Sequence, residues 1–313
     1  MADKIATREA YGRALAELGE KYKNIIVLDA DLSKSTRTEL FKAKFPERFI
    51  NCGVAEANMM ATAAGIATCG NIVFASTFAM FAAGRAYDQV RNSIGYPHLN
   101  VKIGASHAGI SVGEDGASHQ CIEDIALMRV IPGMTVVSPC DAVSTRFLVE
   151  EAIKIDGPVY LRLGRLAVEA VYEGNPQDFK IGQSITLREG KDLTIIATGL
   201  MVQQALMAFD ILKQKGISAR VIDMHTIKPI DEKAIVKAAR ETGLIITCEE
   251  HNIMGGLGSA VSEVVSENYP VLVSKIGVRD QFGRSGDPSS LLKKYGLTAE
   301  DIVSRAVELL KRK

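Results

Sequence analysis

The stretch SHAGISVGEDGASHQ, residues 106–120, puts His107 and His119 at either end of a glycine-rich segment that carries Glu114 and Asp115. Imidazoles titrate near neutrality and carboxylates bind hydroxyls, so the loop suits proton transfer or recognition of a polar substrate. The same four side chains could be written as metal ligands, although their spacing fits no compact metal motif. A polar loop with satisfied surface histidines is the remaining reading.

Other stretches carry candidates of their own. In NCGVAEANMMATAAGIATCG, residues 51–70, a glycine turn leads into an Ala- and Met-rich helix with Glu56 in its first turn. A helix N-terminus lowers a carboxyl pKa and apolar burial raises it, so Glu56 is a candidate for proton chemistry as well as for a plain helix start. STFAMFAAGRAYDQVRN (76–92) is expected to begin a helix with Phe78 and Phe81 three apart, a spacing usual for core. Arg165, in LRLGR, follows an apolar run and suits an anion or a surface ion pair. IMGGLGSAV (253–261) could hold a phosphate at a helix start. It lacks G-x-G-x-x-G and a Walker lysine, so close helix packing is the expectation there.

These residues need elements to position them. Apolar runs at 25–30, 71–76, 100–105, 134–138 and 158–162 alternate with amphipathic stretches near 7–20, 55–68, 79–93, 121–129 and 141–154. A second alternation has strands at 193–198, 218–223, 244–250 and 271–277. Near-continuous apolar strands separated by helices predict two doubly wound α/β domains with mostly parallel sheets. The domains are expected at 1–167 and 193–313, joined by a Gly- and Pro-containing linker at 168–192. Ligands in such sheets sit beyond the carboxyl ends of strands.

The chain's 313 residues are 47% hydrophobic, with 37 basic and 37 acidic side chains. That size allows a full core, and the balanced charge argues against nucleic acid or an anionic membrane as the main partner. The charged N-terminal stretch has no apolar signal-peptide core, and no apolar run approaches a membrane span. Five cysteines without C-x-x-C spacing read as reduced thiols, so a cytoplasmic location is expected.

In order along the chain, IATREAYGRAL, DADLSKST, GVAEANM, STFAMFAAGRAYDQVR, SHAGISVGEDGASHQ, LRLGR, DMHTIKPID and EEHNIMGGLGSAV resemble transketolases. The resemblance covers nearly the whole chain but only the second half of a usual member, its pyrimidine-binding and C-terminal domains. It implies transfer of a two-carbon ketol unit between sugar phosphates with thiamine diphosphate and Mg²⁺. Glu56 then matches the glutamate that bonds the cofactor's pyrimidine nitrogen, and Phe78 and Phe81 match the aromatic wall around that ring. Arg8, Ser35, His107 and Arg165 match the sugar-phosphate site. His119 matches a residue near the donor's reacting carbonyl, Asp115 one that recognises a substrate hydroxyl, and Asp31 an acidic position near the cofactor. Departures from the pattern are Ala55-Glu56-Ala57-Asn58 in place of Arg-Glu-His, Gly84 where tyrosine is frequent, and Gly164 where serine is.

The family's diphosphate and Mg²⁺ site needs a G-D-G motif followed by asparagine, and the chain's nearest string is Glu114-Asp115-Gly116, in a different context. The resemblance therefore implies a partner, an N-terminal transketolase subunit holding the diphosphate and Mg²⁺, in an α₂β₂ assembly with self-association of this chain. The start at Met1 ahead of a helix leads us to expect a separately encoded subunit. The alternatives are a subunit like 1-deoxyxylulose-5-phosphate synthase or the β-subunit of 2-oxo-acid dehydrogenases, and a catalytically silent scaffold.

Overall fold

The computed structural model describes residues 4–174 and 179–312. Residues 1–3, 175–178 and 313, at the outer ends of both expected domains and inside the expected linker, lie outside the described residues. Two mostly parallel sheets are each covered by helices. The first runs Thr226–Lys228, Thr135–Val137, Val159–Arg162, Val101–Ser106, Ile72–Phe78, Ile25–Asp29, Phe49–Asn51. The second runs Leu272–Val278, Leu244–Asn252, Leu193–Ala197, Ala219–Asp223, Ile185–Arg188. All nine expected strands are present within a few residues of their predicted bounds, because β-branched runs buried on both faces need a parallel sheet.

The strands that sequence alone did not give are short edge pieces. Ile185–Arg188 falls inside the 168–192 stretch and pairs antiparallel with Ala219–Asp223. Ala167–Val168 pairs with Ile5–Ala6. Thr226–Lys228, from the second half of the chain, pairs antiparallel with Thr135–Val137 and becomes the outer strand of the first sheet. One continuous apolar core includes Leu15, Val137 and Leu161 from the first half with Ile195, Ile246 and Ile302 from the second.

The helix Thr7–Lys21 buries Ala10, Tyr11, Ala14, Leu15 and Leu18 along one stripe. Its Tyr11 hydroxyl lies 2.7 Å from Ser76 Oγ. A β-carbon at Gly104 would overlap that hydroxyl, so the strand passing beneath the ring accepts only glycine there.

One element differs from expectation. Phe78 ends the strand Ile72–Phe78, in register with Ser106, instead of opening a helix. The helical stretch that follows is π-helical at Phe81–Arg85 and again at Gln89–Gly95. Buried Thr77 and Phe78 favour the extended chain, so the pairing with Val101–Ser106 outlasts the polar Ser76 at which the strand was expected to stop. The two phenylalanines thus come from different elements.

Candidate active site

Strand order in the first sheet reverses between Ile25–Asp29 and Ile72–Phe78, since the next strand after Ile25–Asp29 lies outward and the chain then returns to its other side. Such a reversal opens a crevice at the carboxyl ends of the strands. Asp31, Phe78, His107 and Arg165 end or follow Ile25–Asp29, Ile72–Phe78, Val101–Ser106 and Val159–Arg162, so all four stand at that edge.

Phe78 is the centre of the site. His107 stacks on its ring at 3.8 Å between centroids and 25° between planes. Phe81 also stacks on Phe78, at 5.5 Å and 22°. His119 meets both rings edge-on, at 5.4 Å from Phe81 and 6.2 Å from Phe78. The two ends of the opening loop therefore converge on one aromatic pair.

Glu56 begins the helix Glu56–Ala67, whose Met59, Met60, Ala63 and Ala67 pack into the core. Its carboxylate is 3% exposed and accepts a bond from Arg85 Nη1 at 2.9 Å. The same guanidinium lies 4.1 Å from the Phe81 ring centroid, so Arg85 joins the carboxylate to the aromatic pair. Sequence reasoning passed over Arg85; its place four residues after Phe81 in a helical stretch was the available signal. The methyl of Met80 occupies the position that a β-carbon at Gly84 would take, so this methionine fills the space next to that glycine.

Cations gather near His107. Gly164 N donates to Thr7 Oγ1 at 2.7 Å, which ties the start of the Arg8 helix to the Gly164–Arg165 turn. Burial lowers the Arg8 pKa, as do nearby Arg37 and Arg165, while Glu9 and Asp115 oppose the shift. Burial, followed by Arg8, Arg165 and His119, pushes the His107 pKa down to about 3. His107 is therefore a neutral hydrogen-bonding group at physiological pH, whereas the loop's composition pointed to an imidazole titrating near neutrality. Its backbone is left-handed, with φ of 57°, and Ser106 Oγ lies 3.0 Å from Nδ1.

The remaining candidates are placed less directly. Arg165 Nη1 donates to the Val112 carbonyl and, at 2.9 Å, to Glu114, so the loop's own acid sits on this guanidinium. Ser35 meets Arg8 through its backbone carbonyl, at 2.7 Å from Nη1, and not through its hydroxyl. Asp115 is exposed on the loop. Asp31 is exposed and accepts from Asn51 Nδ2 at 2.9 Å. The buried acid of that segment is Asp29, bonded by Thr36 and Thr38 at 2.7 and 2.9 Å, and burial raises its pKa.

Among the described residues, no group of three or more His, Cys, Asp or Glu side chains could hold a metal ion. No helix among them is long and apolar enough to cross a membrane. At the GGLG segment, Glu249 accepts from the backbone N–H groups of Leu257 and Gly258 at 2.7 and 2.8 Å. A buried carboxylate already fills that helix N-terminus, in keeping with close packing and not with a phosphate cradle.

Comparison with known proteins agrees with this architecture. Residues 3–170 match the family described as transketolase, pyrimidine binding domain, and residues 182–302 match transketolase, C-terminal domain. A 6-deoxy-6-sulfo-D-fructose transketolase subunit of Clostridium sp. (strain MSTE9) is 44% identical, over 98% of this chain and 95% of its own length. An apulose-4-phosphate transketolase subunit of Phocaeicola vulgatus is 42% identical, over 98% of both chains. A solved structure described as a split gene transketolase, inactive β4 tetramer, superposes with a TM-score of 0.91 at 56% identity, over 98% of this chain and 99% of that one. The chain thus belongs to the transketolase family, with that family's pyrimidine-binding and C-terminal domains and close relatives encoded by split genes.

Proposed function

We propose that this chain is the C-terminal subunit of a two-chain transketolase that moves a two-carbon ketol unit from a ketose phosphate to an aldose phosphate. The observation that carries the reading is the Phe78 stack. It links a neutral imidazole with two arginines near it to a second aromatic ring whose neighbour Arg85 bonds a buried carboxylate. Those two halves suit the two parts of the reaction.

On the cofactor side, Glu56 and the Phe78–Phe81 pair fit an aminopyrimidine, with a carboxylate for its ring edge and aromatic contact for its face. Thiamine diphosphate, when bound, supplies the carbon that carries the two-carbon unit. Glu56 would hydrogen-bond the pyrimidine edge, and Asp31 would stand near the cofactor. Mg²⁺ and the diphosphate would be held by the N-terminal partner subunit.

On the substrate side, Arg8 and Arg165 would supply the charge for a phosphate dianion, with His107 a neutral donor and Ser35 at the rim. His119, edge-on to both phenylalanine rings, would serve proton transfer at the reacting carbonyl, and Asp115 would bind a substrate hydroxyl. Dependence on a partner draws support from the relatives described as subunits and from the related split-gene chain described as an inactive β4 tetramer. The arginine pair suits the double charge of a sugar phosphate better than the single carboxylate charge of a simple 2-oxo acid.

The test is ketol transfer from xylulose 5-phosphate to ribose 5-phosphate with thiamine diphosphate and Mg²⁺, for the chain alone and mixed with a diphosphate-domain subunit. Transfer only in the mixture is the expected result. Transfer by the chain alone would remove the need for a partner. A stable complex without transfer would point to another sugar pair or to a scaffold, and transfer with other ketose and aldose phosphates that is lost in Glu56→Ala separates these.

A further inference from the structure

The loop that carries His107, Asp115 and His119 is held by more than its own hydrogen bonds. His107 is left-handed, and Gly109, Gly113 and Gly116 have φ of 85°, 85° and 76°. A non-glycine residue in that region costs on the order of 1 kcal/mol or more and persists only where surroundings impose it. Part of those surroundings comes from the other domain.

Glu250, in the second-sheet strand Leu244–Asn252, is 4% exposed and sends its carboxylate across the domain boundary to accept the Ser111 backbone N–H. A β-carbon at Gly109 would overlap that carboxyl, so the loop is packed directly onto it. Arg162 does not neutralise the carboxylate by a direct bond. Its Nη2 donates to the Glu250 backbone carbonyl at 2.9 Å, and its Nε is taken by Asp124. Burying a carboxylate is costly, and here the group it bonds is a loop amide.

The far end of the loop is held in the same way. Gln120 Nε2 donates to the Arg284 carbonyl at 2.9 Å, and to Ile110 and Gly113 carbonyls at 3.1 and 3.3 Å. Arg284 belongs to the segment leading into the helix Pro288–Lys294 of the second domain, and that segment also abuts Gly116 through Ser285 Oγ.

We propose that Glu250 is a positioning residue of the active site. Together with the Gln120–Arg284 bond, it lets the C-terminal domain fix where His107 and His119 stand against Phe78 and Phe81. Such positioning holds for any chemistry at the two histidines; its effect on ketol transfer rests on the function proposed above.

The experiment follows the ring signals of His107 and His119 by NMR through a pH titration in the full-length chain and its Glu250→Ala, Glu250→Gln and Gln120→Ala variants. In folded Glu250→Ala, the loosened loop admits water, and His107 is expected to titrate about two units higher as its desolvation is relieved. Both histidines should also lose part of their aromatic ring-current shifts. Glu250→Gln keeps an acceptor for Ser111 N–H and should restore the wild-type signals. Unchanged titration and shifts in folded Glu250→Ala would overturn the proposal. Should that variant fail to fold, Gln120→Ala decides: loss of ring-current shift at His119 is expected, and unchanged His119 shifts would overturn the proposal.

In the assembled enzyme, Glu250→Ala should lower kcat for ketol transfer about tenfold or more, since misplacement by about 1 Å can cost about 100-fold. Histidine signals that respond in an assembly without wild-type ketol transfer would leave the positioning intact and remove the function proposed above.

Discussion

Asp223 offers a sharp test of how the two halves of this chain are joined. It ends the strand Ala219–Asp223, is fully buried, and accepts from Tyr172 Oη at 2.7 Å and Cys140 Sγ at 3.4 Å, both on Oδ2. Among the described residues its Oδ1 has no hydrogen-bond partner, and Asp141 is a nearby acid. Burial raises its pKa from 3.8 to about 7, against smaller opposing effects from Tyr172 and Cys140. The folded chain thus keeps this proton over a range in which the unfolded chain has lost it. Below pH 3.8 both states are protonated and Asp223 carries no penalty. Between pH 3.8 and about 7, stability falls as pH rises, and above that range the whole penalty is present. A shift of about three units corresponds to about 4 kcal/mol at about 1.4 kcal/mol per unit.

Asp223→Asn cannot ionise, so it removes this dependence. Its amide N–H₂ would take the place of the unpartnered Oδ1, at a cost of about 1–3 kcal/mol at every pH. The variant should therefore be less stable than wild type at pH 4.5 and more stable at pH 8, with the difference between them changing by about 3 kcal/mol. Urea unfolding at both pH values, followed by tyrosine fluorescence at fixed chain concentration, measures that change. A stability difference that stays constant within about 0.5 kcal/mol would refute the assignment of a protonated, buried Asp223.

Three further outcomes follow from the same geometry. Arg165→Gln should weaken binding of inorganic phosphate about tenfold or more, as expected for one charge-assisted bond, and raise the His107 pKa, both readable by NMR titration. Glu56→Ala should abolish ketol transfer in the assembled enzyme while shifting stability by only about 1 kcal/mol, because its partner Arg85 is half exposed and can hydrate; thermal unfolding and the transfer assay together check this. Gly104→Ala should destabilise by about 1–3 kcal/mol through the clash with the Tyr11 hydroxyl, measured by urea unfolding, and Tyr11→Phe in the same background should recover part of that loss.

Residues near one another in sequence carried much of what could be read in advance. Buried β-branched runs such as 193–198 marked strands, the stripe of Thr7–Lys21 marked a helix, and the order of motifs marked the family, because each depends on a period or a short string. The edge strand Thr226–Lys228 was invisible for the converse reason: three residues have no period, and their partner lies some ninety residues away. Phe78 and Phe81 were legible as a pair, but the change from strand to π-helical turn between them was set by pairing with Val101–Ser106.

By itself, then, the sequence determined the longer strands and helices and which side chains could take part in chemistry, since those follow from local periodicity and residue type. Only the tertiary structure decided the state and neighbours of those side chains. It made His107 neutral by burying it among cations, set Arg85 on Glu56 and Glu114 on Arg165, and brought Glu250 from the other domain against the loop. Burial and long-range electrostatics depend on what surrounds a group in space, and a linear string does not state those distances.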